Sequence, residues 1–238
     1  MDYLEAINTR VSRRTYLDTP IEPKKLQQLE NLIDQYNKAA DLSMALVLDG
    51  SSAFNGLRKS YGMFKNVRTL IVLKGKKEDP NLKEKTGYYG EMLVLEATKM
   101  GLGTCWVGGT FDRDNAVFKA GKNEELTCVI TIGNIETDQS FKEKMIRNLT
   151  HRKTKPVEAF YEADTAVPQW FLAGIQAVQK APSAVNLQPV TVDYKKGVVT
   201  AFVKEERSLT DLGIAKAHFS LTAGGTFEFG NRGEFTKE

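Results

Sequence analysis

Residues 88–100 constrain the fold more than any other stretch. Met92, Leu93, Val94, Leu95 and Met100 leave almost no polar face on a helix that ends at Gly101, a residue suited to a left-handed cap. A helix apolar nearly all round has to be covered on every side, so other elements must gather about it. A chain of 238 residues is long enough to build that cover. Its 41% apolar and 26% charged residues are ordinary globular usage, which excludes a fibrous or disordered class.

The covering elements are legible in outline. Leu26, Leu29, Ile33 and Tyr36 recur at three- and four-residue steps, and Pro23 suits a first turn, so residues 23–40 read as a helix. Short apolar runs at 45–48 and 70–73, closed by Asp49-Gly50 and Lys74-Gly75, have the length of buried strands. Residues 128–132 read as another, ending in the turn Gly133-Asn134.

The same order then recurs, with a helix at 170–180, strands at 190–192 and 198–203, and a helix at 209–223 that stops at Gly224. Lys38-Ala39 matches Lys180-Ala181, Leu73-Lys74 matches Val203-Lys204, Gly90 matches Gly213, and Gly101 matches Gly224. This reads as a degenerate internal duplication with insertions in the first copy, although helices and strands alternate in any α+β chain. A duplication implies that the two apolar helices pack on each other, so that halves 1–165 and 166–238 form one compact unit.

Charge and cysteine content narrow the partners. The net charge of +3 comes from 33 basic and 30 acidic residues without a block of like charges, so a nucleic-acid surface is not expected. No run approaches the roughly 18 apolar residues of a membrane span, and Met1-Asp2-Tyr3-Leu4-Glu5 lacks an apolar signal core; a cytoplasmic protein without membrane contact is expected. Cys105 and Cys128 are expected to be reduced thiols. His151 and His218 lack metal-site spacing, and no metal is expected.

Three features could carry chemistry. Arg10, Ser12 and Arg14 alternate, so an extended backbone sends them to one face, where two guanidinium forks and a hydroxyl make a phosphate receptor; a solvated basic stretch has the same composition. In residues 180–189, Pro182 and Pro189 stiffen a loop whose Ser183, Asn186 and Gln188 could read the edge of a planar polar ring, or bond only local backbone. In residues 101–109, glycines could let backbone N–H groups around Gly108 and Gly109 approach a flat ring, or could mark a cap and a close-packed crossing.

Taken together, these motifs resemble the nitroreductase family of FMN enzymes. The Arg-x-Ser-x-Arg-x-aromatic pattern stands as Arg10, Ser12, Arg14 and Tyr16, and the Pro-Ser-x-x-Asn-x-Gln-Pro loop as Pro182, Ser183, Asn186, Gln188 and Pro189. Gly101 to Gly103 match a Gly-Leu-Gly stretch, and Arg152-Lys153 a late basic pair. The order departs from the usual one: the proline loop ordinarily follows the first helix, where this chain reads Ala39-Ala40-Asp41-Leu42-Ser43-Met44.

The resemblance implies an α+β, nitroreductase-like fold with antiparallel-containing central sheets, surrounding helices and two pseudo-symmetric halves packed as an intramolecular dimer. It implies one FMN per chain, held by Arg10, Ser12, Arg14, Gly108, Gly109, Arg152 and Lys153 from the first half and by Pro182, Ser183, Ala184, Asn186 and Gln188 from the second. The mirror site lacks both motifs. The activity implied is hydride transfer from NAD(P)H to FMN and on to a nitroaromatic, quinone or similar small acceptor, without a catalytic side chain. A non-catalytic flavin-binding or sensor protein is the alternative on the same fold. The chain would be a monomer with pseudo-dimeric halves, or a homodimer.

Overall fold

A computed structural model describes residues 1–54, 63–141, 143–145 and 153–238. The chain opens with a short helix, α1 (Tyr3–Thr9), set by a capping box: the Asp2 carboxylate accepts from the Glu5 N–H at 2.8 Å, and Glu5 accepts from the Asp2 N–H at 2.9 Å. An extended segment leads to α2 (Pro23–Ala40), which starts on its proline and stops where Asp41 turns left-handed.

Strands β1 (Ala45–Val47), β2 (Thr69–Lys76), β3 (Gly103–Val107) and β4 (Glu124–Gly133) form an antiparallel sheet in the order β1-β2-β4-β3. Both faces are covered, which suits the unbroken apolar run Leu70 to Leu73 in β2. Ile71, Leu73, Ile130 and Ile132 join α2 and α3 (Leu82–Lys99) in one core cluster. Leu70, Val72 and Val129 point the other way, into a second cluster with Tyr16, Phe54 and Phe118.

The remaining elements build a third cluster. Strand β5 (Tyr161–Ala163) pairs in parallel with β6 (Thr191–Lys195), which pairs antiparallel with β7 (Val198–Phe202). Helices α4 (Gln169–Lys180) and α5 (Leu209–Ala223) and the small hairpin β8 (Gly225–Phe227) and β9 (Phe235–Lys237) complete it around Phe160, Phe171, Ile175 and Phe219. Helix, two antiparallel strands, helix thus occurs twice, as α2-β1-β2-α3 and as α4-β6-β7-α5.

The two apolar helices do pack on each other, and their backbones touch. A Cβ on Gly87 would lie 2.2 Å from the Thr210 carbonyl oxygen, and one on Gly213 only 1.9 Å from that of Glu84. These contacts are reciprocal. The glycine opposite α5 is therefore Gly87, not the sequence-matched Gly90, which is packed under Trp106 and Leu73. The crossing is pinned by a buried ion pair: Lys216 Nζ meets Glu84 at 2.5 Å and donates to the carbonyls of Glu228 and Gly230, while Glu84 also accepts from the Gly230 N–H. With both charges fully hydrogen-bonded, burial carries no unpaired group, and losing either partner would strand the other.

Candidate functional site

Residues 10–16 run extended along the exposed edge of the sheet. Ser12 bridges Thr104 of the edge strand β3 in parallel, the Arg13 N–H donates to the Thr104 carbonyl at 2.8 Å, and Thr15 bridges Lys65. Arg13 turns inward, donating to the carbonyls of Glu136 and Asp138 at 3.0 Å. Arg10 instead points at Glu91, 3.8 Å away. On the strand, burial pushes Cys105 up, while the Arg14 and Arg10 charges and the Ser12 hydroxyl oppose that rise. The thiols of Cys105 and Cys128 are both free and buried, and burial drives Cys128 to about 12.

Glu143, which sequence reasoning missed, fastens this segment. One of its oxygens accepts from the backbone N–H groups of Arg14 at 2.6 Å and Thr15 at 3.0 Å, and the other from Ser140 at 2.8 Å. Burial favours the neutral acid, but these bonds and Arg13 prevail and hold the carboxyl below its ordinary value.

Arg10 is nearly buried, with its side chain 11% exposed, and its Nε finds no hydrogen-bond acceptor among the described residues. The nearest carboxylate is that of Glu91, 3.8 Å away and already engaged by Trp106 Nε1 at 2.7 Å and His218 Nε2 at 2.9 Å. Neither Glu91 nor His218 was legible as a site residue, although a glutamate inside an apolar helix signals a buried partner.

The proline-bracketed loop lies beyond α4 and is held in a costly conformation. Val185, Asn186 and Gln188 have φ of 47°, 51° and 53°, a region that β-branched residues in particular avoid. Three contacts hold it: Ser183 Oγ accepts from the Gln188 N–H at 2.9 Å, Asp211 accepts from the Ala184 N–H at 3.2 Å, and Lys155 Nζ donates to the Gln188 carbonyl at 2.8 Å. Burial pushes the Asp211 carboxyl up to about 6 against that amide.

Gln188 corrects one expectation. It is buried; its amide oxygen accepts from the Lys155 N–H at 2.8 Å, and its amide nitrogen donates to the carbonyls of Lys153 and Asn186. No side-chain N–H of Gln188 is left to read a ring edge; the residue instead ties the Lys153 backbone to the loop. Arg152 lies outside the described residues.

Helix α1, which precedes the early cations, packs on the helix that precedes the late loop. Ala6 and Ile7 pack with Leu95 of α3 and Ala177 of α4, and Lys180 Nζ donates to the Asn8 side-chain oxygen. Beyond β3, Gly108 and Gly109 are exposed, and a Cβ on either would meet nothing within 4 Å. Gly103 differs: its Cβ would lie 2.3 Å from Ile135 and 3.0 Å from Arg13, so this glycine serves packing rather than ligand approach. Gly101, at φ 77°, caps α3.

A covered antiparallel sheet, crossed helices behind it and an arginine segment along its edge define an α+β protein of nitroreductase-like fold. A family model described as "Putative TM nitroreductase" matches residues 2–223. The chain belongs to this nitroreductase family, and hence to the oxidoreductases. It is similar to the structure of a "putative nitroreductase" from Thermotoga maritima, at 22% identity over 99% of this chain and 92% of that one, with a TM-score of 0.68. A "putative NADH dehydrogenase/NAD(P)H nitroreductase" from Parabacteroides distasonis matches at 20% identity over 67% of this chain and 96% of that one, with a TM-score of 0.51. Both likenesses are of fold. No curated protein matches the chain. Among the described residues, no helix is long and apolar enough to cross a membrane.

Proposed function

We propose that the chain holds one FMN between the Arg10–Arg14 segment and the loop 182–189 and passes reducing equivalents from NAD(P)H to a small acceptor such as a nitroaromatic or quinone. The observation that carries this reading is Arg10: a nearly buried cation whose Nε has no acceptor among the described residues. A buried donor left unmade is costly, and a ligand anion supplies what it lacks. Ser12 and Arg14 follow at two-residue steps along the same extended segment, which suits the phosphate of a mononucleotide.

In this reading Arg10, Ser12, Arg14 and Lys153 hold the phosphate, with Arg152 assigned beside them from sequence alone. The open edge at Gly108 and Gly109 admits the ring, and the backbone of Pro182, Ser183, Ala184 and Asn186 borders it from the second half. FMN, when bound, supplies the two-electron chemistry. The chain's own part is to bind, orient and neutralise charge, and no side chain needs to act as a nucleophile. The reciprocal contacts of Gly87 and Gly213 support halves 1–165 and 166–238 as a fused pair with one site per chain, in a monomer or a homodimer.

The test is anaerobic mixing of FMN-loaded protein with NADH or NADPH. Bleaching of the flavin within turnover time is expected with at least one of them; a flavin that neither nucleotide reduces would make the chain a carrier or sensor.

A further inference from the structure

Four polar groups from distant parts of the chain meet beside the helix crossing. Glu91 is completely buried; one of its oxygens accepts from Trp106 Nε1 at 2.7 Å, and the other lies 2.9 Å from His218 Nε2 and 3.8 Å from Arg10 Nε. His218 is also completely buried, and its second ring nitrogen, Nδ1, lies 3.0 Å from the Ala177 carbonyl oxygen.

Donor counting determines the protons. A backbone carbonyl only accepts, so Nδ1 carries a hydrogen. The contact between Nε2 and a carboxylate oxygen then needs one more proton, since two lone pairs at that distance repel. That proton sits either on Nε2, giving imidazolium and carboxylate, or on Glu91, giving neutral imidazole and carboxylic acid. In both cases Glu91 and His218 sum to zero charge.

Arg10 is therefore not neutralised, although a carboxyl oxygen lies 3.8 Å from it. We infer that His218 is a positioning residue that cancels Glu91 and thereby keeps Arg10 a full, uncompensated cation for the ligand anion. This rests on the FMN reading of the Arg10 site. It makes α5 of the second half the element that sets the charge of a site built on the first.

The inference predicts effects of opposite sign. His218→Gln keeps a donor for Glu91 but removes the compensating proton, so residues 91 and 218 together carry a net negative charge that offsets Arg10 and weakens FMN binding about tenfold or more. Glu91→Gln removes the competing carboxylate, so FMN binds within about threefold of wild type or more tightly. The double variant returns to within about threefold of wild type. A purely structural role predicts instead that both single variants weaken binding and that the double is weakest.

The experiment is FMN titration by fluorescence quenching on wild type and the three variants, with ring 15N NMR of His218 in the wild-type protein. The expected spectrum has Nδ1 protonated. An unprotonated Nδ1, a His218→Gln protein that binds FMN as wild type does, or a Glu91→Gln protein that loses more affinity than His218→Gln would overturn the inference. Wild type that takes up no FMN would sink the flavin reading instead, and the spectrum alone then decides the charge state of the pair, as it does if a variant fails to fold.

Discussion

Lys180 Nζ donates to the side-chain oxygen of Asn8, joining the last residue of α4 to the penultimate residue of α1. Arg10 stands two residues beyond one partner and Pro182 two beyond the other. Segments more than 170 residues apart in sequence therefore start from one point, which is what a shared ligand requires.

Removing both outward cations tests the anion site. Each charge-assisted hydrogen bond to phosphate contributes about 1.5–3 kcal/mol, so Arg10→Ala combined with Arg14→Ala should weaken FMN binding by about a hundredfold or more. Equilibrium dialysis against FMN measures it. Full flavin occupancy in the double variant at wild-type FMN concentrations would remove the arginines from the site.

Glycines in two environments should behave oppositely. Gly109 faces open space and keeps an ordinary φ, so Gly109→Val should leave stability within about 0.5 kcal/mol while lowering FMN occupancy. Gly213→Ala forces a methyl group to 1.9 Å from the Glu84 carbonyl oxygen and should cost about 3 kcal/mol or more as α3 and α5 part. Urea melts and flavin content of the purified proteins separate the two effects. A Gly109→Val protein that is destabilised, or that keeps full flavin, would contradict this account of the open edge.

Asp211 gives the fold a pH dependence of defined sign. Burial lifts its carboxyl from 3.8 to about 6, so the unfolded chain releases this proton first as pH rises. Stability is lost progressively between those values, the full penalty standing above about pH 6 and vanishing below about pH 4. It amounts to at most about 3 kcal/mol. Asp211→Asn keeps an acceptor for the Ala184 N–H and removes the charge, so its melting temperature should exceed wild type by ~5 °C at about pH 7.5, the gap closing by about pH 4. An equal gap at both pH values would mean that the charge is not the cause.

Two helices were legible to the residue: Pro23–Ala40, from its proline and apolar spacing, and Leu209–Ala223, from an apolar stretch stopped by Gly224, stand where the sequence places them. Strand β3 was not, since Gly103 reads as a loop until Arg13 is seen crossing over it. Helix α1 was missed although its capping-box residues, Asp2 and Glu5, are plain, because seven residues carry too little periodicity. Among site residues, Arg10, Ser12 and Arg14 are assigned to one ligand from alternation alone. Glu91, Glu143, Asp211 and His218 act through partners that only the tertiary fold brings to them, and no spacing along the chain announces that.

The most direct measurement is the flavin content of the purified protein, read from its visible absorption after FMN saturation and removal of free ligand. One FMN per chain is expected, because the sequence carries one arginine segment and one proline-bracketed loop. Protein that stays colourless, or that retains two flavins per chain, would contradict it.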